Sequence, residues 1–122
     1  MALYTLQAAS EREKFMQRWK VGDVTITRII ETEDASMSAA IMLPEATEEN
    51  IATIGWLKPH FVTAEGKLIS SVHSLLVESR GQRIVIDTCL GNDKPRIVPQ
   101  WNRRQGQFLE QISAAGFPRE QV

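Results

Sequence analysis

The sequence predicts an α+β fold of mostly antiparallel hairpins with flanking helices, and three observations carry that prediction. Residues 15–31 and 68–90 each carry strand patterning on both sides of a tight turn, Gly22-Asp23 in the first and Arg80-Gly81 in the second. Residues 104–115 instead repeat their apolar positions at helical spacing and end in Gly116-Phe117-Pro118. The second hairpin is apolar on both faces at its middle, so packing is expected on each side of it, as in a layered domain.

In the first hairpin, pairing Val21 with Val24 puts Trp19 opposite Ile26 and Phe15 opposite Ile30. Those pairs share one face, and Arg18, Lys20, Thr25 and Thr27 share the other. The expectation is an antiparallel ribbon with one wet side and a type II′ turn at Gly22-Asp23. An alternative start is a short helix around residues 10–16, and residues 1–14 read as a mobile or helical extension. Residues 32–38 are polar and read as a loop. Leu43-Pro44-Glu45 followed by Thr47-Glu48-Glu49 is a helix-start pattern, with acidic side chains near the positive dipole end, and a short helix is expected over residues 44–54. The aromatic-rich stretch 55–61 reads as a loop packed onto the core in preference to a recognition surface.

In the second hairpin, pairing Ser79 with Gln82 sets Glu78 against Arg83, Val77 against Ile84, Leu76 against Val85, Leu75 against Ile86 and Ser74 against Asp87. An opposite-charge pair beside the turn and apolar pairs further in support that register. Phe108, Leu109, Ile112 and Ala115 then form a helical stripe. Gly116 can take the left-handed cap, Phe117 can fold back on the last turn, and Pro118 blocks continuation.

Composition narrows the function. The 122 residues are 43% hydrophobic and 24% charged, enough apolar content to fill a core and too much for wholesale disorder. Lys plus Arg number 14 against 15 Asp plus Glu, a formal charge of −1, which argues against coating nucleic acid or an anionic membrane. The single cysteine, Cys89, makes no internal disulfide and excludes a Cys-paired zinc finger. The absence of a signal-like start and of a membrane-length apolar run points to a soluble, cytoplasmic chain with no membrane partner.

Few residues carry chemistry. The two histidines, His60 and His73, lie in no His-x-His or His-Glu-x-x-His arrangement, so no close imidazole pair offers itself to one metal ion. In the preferred register His73 faces Thr88, and a slip of one residue would set it against Asp87. Asp87 ends an apolar strand, where an unpaired buried carboxylate would be costly. It reads equally as an active-site acid and as an Asx-type turn that ends the strand. Cys89 reads as a half-buried filler. Lys94, Arg96, Arg103 and Arg104, around Pro95, Pro99 and Trp101, read first as a solvated loop and second as a substrate rim, which would also draw on His60 and Phe61.

Ser71-Val72-His73-Ser74-Leu75-Leu76-Val77 together with Arg83-Ile84-Val85-Ile86-Asp87-Thr88-Cys89-Leu90-Gly91-Asn92-Asp93-Lys94 resembles the metallo-β-lactamase-fold hydrolases. Their hairpin ends in an Ile-Asp-Thr-Gly-like turn, followed by a helix and a Gly-Phe/Ile-x-Pro approach, which residues 108–122 match. Cys89 departs from the usual Gly. The resemblance implies the N-terminal half of an αββα sandwich, so that residues 1–122 form a single partial domain. It implies a complete protein that uses zinc or another divalent transition metal to hydrolyse a small ester, lactone or amide. Asp87 and Thr88 then stand as metal-site support. The family's Thr-His-x-His-x-Asp-His segment has no counterpart before Val122, so the resemblance implies no metal and no activity in these 122 residues alone. Half a sandwich would leave apolar surface and a sheet edge uncovered, so a homo-oligomer or pairing with a missing C-terminal part is expected. The competing reading is a non-catalytic α+β interaction or dimerisation module.

Overall fold

The structure, a computed structural model, describes residues 16–36 and 38–122. The expectations for residues 1–14 and for Phe15, its pairing with Ile30 included, lie outside the described residues. Among the described residues four strands, β1 (Met16–Val21), β2 (Val24–Asp34), β3 (Ser70–Ser79) and β4 (Gln82–Ile86), form one antiparallel sheet in the order β1-β2-β3-β4. Among the described residues two short α-helices are present, α1 (Glu48–Ala52) between β2 and β3 and α2 (Phe108–Ala114) after β4. The chain divides into two compact units, one formed by residues up to 31 and from 72 onward, the other by residues 32–71.

In the first unit both hairpins take the expected registers. Val21 pairs with Val24 and Trp19 with Ile26, and Ser79 pairs with Gln82 through to Leu75 with Ile86. Gly22 has a φ of 59° while Asp23 stays out of the left-handed region, which suits a type II′ turn. Arg80 and Gly81 are both left-handed, at 48° and 77°, the pattern of a type I′ turn. The core gathers Ile29, Leu76, Phe108, Ile112 and Phe117, with Met16, Val85, Cys89 and Ala115 packed against it.

That core reverses the expected wet side of the first ribbon. Ile29 and Met16 face the core, and strand alternation puts Thr27 and Arg18 on the same face. Thr27 is only 3% exposed, and its hydroxyl accepts from Arg18 Nε at 3.2 Å, so burial leaves it satisfied. Trp19 and Val21, expected inside, are 45% and 64% exposed, although Ile30 on their face is buried. The second hairpin is also covered on one side only. Ser74 and Leu76 are fully buried on the core face, while Ile84 and Ile86 on the opposite face are 44% and 50% exposed.

The α2 helix buries Phe108 and Ile112 and leaves Leu109 exposed, so the predicted stripe is narrower than its sequence suggested. Its end follows the sequence closely. Gly116 turns left-handed at φ 90° and its amide donates to Ser113 O at 3.0 Å; the Phe117 amide donates to Ile112 O at 2.9 Å. These two bonds make a Schellman motif that returns the Phe117 ring to the core.

In the second unit the predicted helix is shorter than residues 44–54. It is α1, capped by Thr47, whose hydroxyl accepts from Asn50 N at 3.2 Å, with Glu48 and Glu49 in its first turn and Ile51 buried. Ile54 falls beyond it and is exposed. A 3-10 turn at Gly55–Leu57, a cis Lys58-Pro59 bond and an isolated bridge between Val62 and Leu68 follow. Val62 is fully buried, but Trp56 and Phe61 stack edge to face at 6.0 Å and are 71% and 53% exposed. The stretch 55–61 is therefore a loop whose aromatic rings face water, not one packed onto the core. Among the described residues no helix is long and apolar enough to cross a membrane.

Candidate functional site at the end of β4

The segment after β4 is held by side-chain hydrogen bonds from within the turn and from β2 and β3. Ile86 O accepts from the buried Ser74 hydroxyl at 3.1 Å, which fixes the last residue of the strand from across the hairpin. Asp87 then turns left-handed at φ 67°, and its carboxylate Oδ1 accepts from Cys89 N at 2.7 Å. That is an Asx turn, and Asp87 is exposed. The desolvation penalty feared from sequence does not arise, because the apolar strand stops before the carboxylate and the turn lifts it into solvent. Thr88 is exposed beside it.

Cys89 is left-handed at φ 61°, an uncommon conformation for a residue with neither glycine's freedom nor the polar side chain of Asn or Asp. Its side chain packs on the core as the expected filler. Burial first, then the nearby Glu31 and Asp87 carboxylates, push its thiol up to about 12, so it is protonated and unreactive near neutrality.

Two further amides of the loop, those of Leu90 and Gly91, donate to the carboxylate of Glu31 in β2, at 2.8 Å to Oε2 and 3.2 Å to Oε1. Arg96 Nη2 donates to Leu90 O at 2.8 Å, and Arg104 Nη2 reaches Glu31 O at 3.5 Å. Asn92 and Gly106 clasp each other, with Asn92 Nδ2 donating to Gly106 O at 2.9 Å and Gly106 N donating to Asn92 Oδ1 at 2.8 Å. Gln105 Nε2 donates to Asp93 Oδ1. The Lys94 stem lies over Gly91, where an added Cβ would come within 3.3 Å of its Cε, and Lys94 O accepts from Arg103 N at 2.9 Å.

The basic segment is thus not a plain solvated loop: Arg96 and Arg104 close it onto the turn and onto β2. Sequence reasoning passed over Glu31, although one signal was present. It lies two residues beyond Ile29 and so on the core face of β2, where a carboxylate needs partners. Of the residues named as a substrate rim, Lys94 and the half-buried Trp101 belong to the first unit, while His60 and Phe61 lie exposed in the second. His73 is half-buried in β3. Two shallow hollows, of about 280 Å³ beside Leu109 and Pro118 and about 110 Å³ beside Ala39 and Ile51, include none of these residues. Among the described residues no three or more His, Cys, Asp or Glu stand together in a way that could hold a metal ion. The side chains of the described residues do not by themselves fit a zinc centre, which takes three or four protein ligands.

No protein-family model matches the sequence, and no curated protein is similar to it by sequence. Solved structures are similar to it in fold. The dizinc quorum-quenching lactonase AidC, in complex with a product, superposes with a TM-score of 0.56 at 20% identity, over 88% of this chain and 33% of its own. The hydrolase AbOPH of the beta lactamase superfamily superposes with a TM-score of 0.54 at 22% identity, again over 88% and 33%. The chain therefore has part of the metallo-β-lactamase fold, is α+β as its sequence predicts, and spans a third of the length of each of those two structures.

Proposed function

We propose that these 122 residues are the N-terminal portion of a metal-dependent hydrolase, a single partial domain of a larger metallo-β-lactamase-type fold. The observation that carries this reading is the likeness over 88% of the chain to two hydrolase structures, one of them a dizinc lactonase. In the complete, cytoplasmic protein, zinc or another divalent transition metal supports hydrolysis of a small-molecule ester, lactone or amide. Asp87 and Thr88 buttress that centre from the end of β4, and Lys94 and Trp101 of the same unit contribute to its substrate rim. The 122 residues alone are inactive.

The experiment compares two proteins. Metal analysis and lactone hydrolysis are measured on the 122-residue chain and on the product of the reading frame continued past Val122. The reading expects stoichiometric metal and hydrolysis only in the longer product, with a Thr-His-x-His-x-Asp-His segment soon after Val122. A continuation without that segment, or a tightly bound ion in the 122-residue chain, overturns it.

One observation favours a second reading, a non-catalytic module that pairs with a copy of itself: the open apolar face carrying Trp19, Ile84 and Ile86. Sedimentation of the 122-residue chain tests this second reading, since a well-folded monomer would overturn it; metal binding and hydrolysis by the longer product decide for the first.

A further inference from the structure

The turn that follows β4 holds three left-handed residues in five, Asp87, Cys89 and Gly91, at φ 67°, 61° and 73°. Glycine takes that conformation freely, and Asp87 is helped by its own Asx bond to the Cys89 amide. Nothing in the local sequence favours it at Cys89. The two amides that follow, those of Leu90 and Gly91, are successive N–H groups bordering left-handed residues, a concave arrangement suited to an anion. The anion is internal: both oxygens of Glu31, 59 and 60 residues away in sequence, accept these amides. Glu31 is held in turn, its own carbonyl meeting Arg104 Nη2.

We infer that Glu31 is the positioning residue of this turn: its carboxylate, more than the sequence of the turn, holds Cys89 left-handed and so sets where the Asp87 carboxyl group stands at the end of β4. Charge-assisted bonds from two amides are stronger than neutral ones and are directional enough to select one backbone path. Burial first, and then the Glu31 and Asp87 carboxylates, push the Cys89 thiol up, in keeping with the hydrogen bonds that gather these groups around the turn. What the placed Asp87 serves rests on the hydrolase reading above; the placement itself does not.

The test follows amide hydrogen exchange and carbon chemical shifts by NMR in the 122-residue chain, its Glu31→Ala variant and its Glu31→Gln variant. In Glu31→Ala, Leu90 and Gly91 should exchange at least about tenfold faster, as expected for the loss of bonds to a charged acceptor. The Asp87 and Cys89 shifts should move away from left-handed values. The amides of Leu76 and Ile112 in the core should change by less than about threefold, since the opening is local. Glu31→Gln, with one carbonyl oxygen and no charge, should fall between the two, and it carries the test if the alanine variant does not fold. Unchanged Leu90 and Gly91 amides overturn the inference, and so does acceleration only in step with Leu76 and Ile112, which would make Glu31 a general stabiliser. None of these readouts needs metal or substrate. A continued reading frame that binds no metal would sink the hydrolase reading and leave this one standing.

Discussion

Replacing Gly116 by alanine isolates one backbone angle. Gly116 ends α2 at φ 90°, and a Cβ built there meets nothing within 4 Å, so the substitution adds no clash and its effect is conformational. A left-handed L-residue is disfavoured by about 1–2 kcal/mol, against which alanine's reduced freedom in the unfolded chain returns roughly 0.4–1 kcal/mol. The expected net loss is about 1 kcal/mol, or a Tm lower by about 3–5 °C for a chain of this size. Gly55→Ala is the matched control, because its Cβ also meets nothing and its φ is not positive. Thermal and urea unfolding followed by circular dichroism should show Gly116→Ala less stable than both the parent and Gly55→Ala. Equal stability of the two variants would refute the argument that the left-handed cap is what returns the buried Phe117 to the core.

Leu76→Ala removes a fully buried side chain at the centre of the core and should lower stability by about 2–5 kcal/mol, read as a reduced urea midpoint. Ser74→Ala deletes the 3.1 Å bond to Ile86 O and should cost about 1 kcal/mol in the same assay; no change would mean the strand end is fixed otherwise. Cys89, pushed up to about 12 in the fold from an ordinary 9.0, keeps its proton in the folded chain after the unfolded chain has lost it. Stability is therefore unaffected by this thiol below pH 9 and falls as pH rises from 9 towards 12, a decline that Cys89→Ser should lack. Iodoacetamide at pH 7.5 should accordingly label native Cys89 far more slowly than the urea-unfolded chain.

Local signals carried most of the fold. Both registers were legible because each hairpin turns on two residues and its pairs either match charge, as Glu78 with Arg83, or set apolar groups opposite one another. The end of α2 was legible because Gly116 and Phe117 have separate, local tasks. Which face of the first ribbon is buried was not. Alternation gives two faces, and Val21 and Trp19 look more apolar than Thr27 and Arg18, but α2 covers the face that carries Ile29. The candidate site divided in the same way. Asp87 announced itself by ending an apolar strand, whereas Glu31 acts through partners 59 and 60 positions away, and no window of sequence joins them.

That separation has a consequence for the order of events during synthesis. At about 5–20 residues per second, the ribosome delivers Leu90 and Gly91 roughly 3–12 seconds after Glu31. Through that interval the Glu31 carboxylate has water for its partner. The first hairpin can close early, but the turn at the end of β4 waits for two later strand pairings, β2 with β3 and β3 with β4, to bring its amides across the sheet. A pause in translation between β2 and β4 would therefore find the first hairpin able to close while Glu31 still lacked the two amides that donate to it.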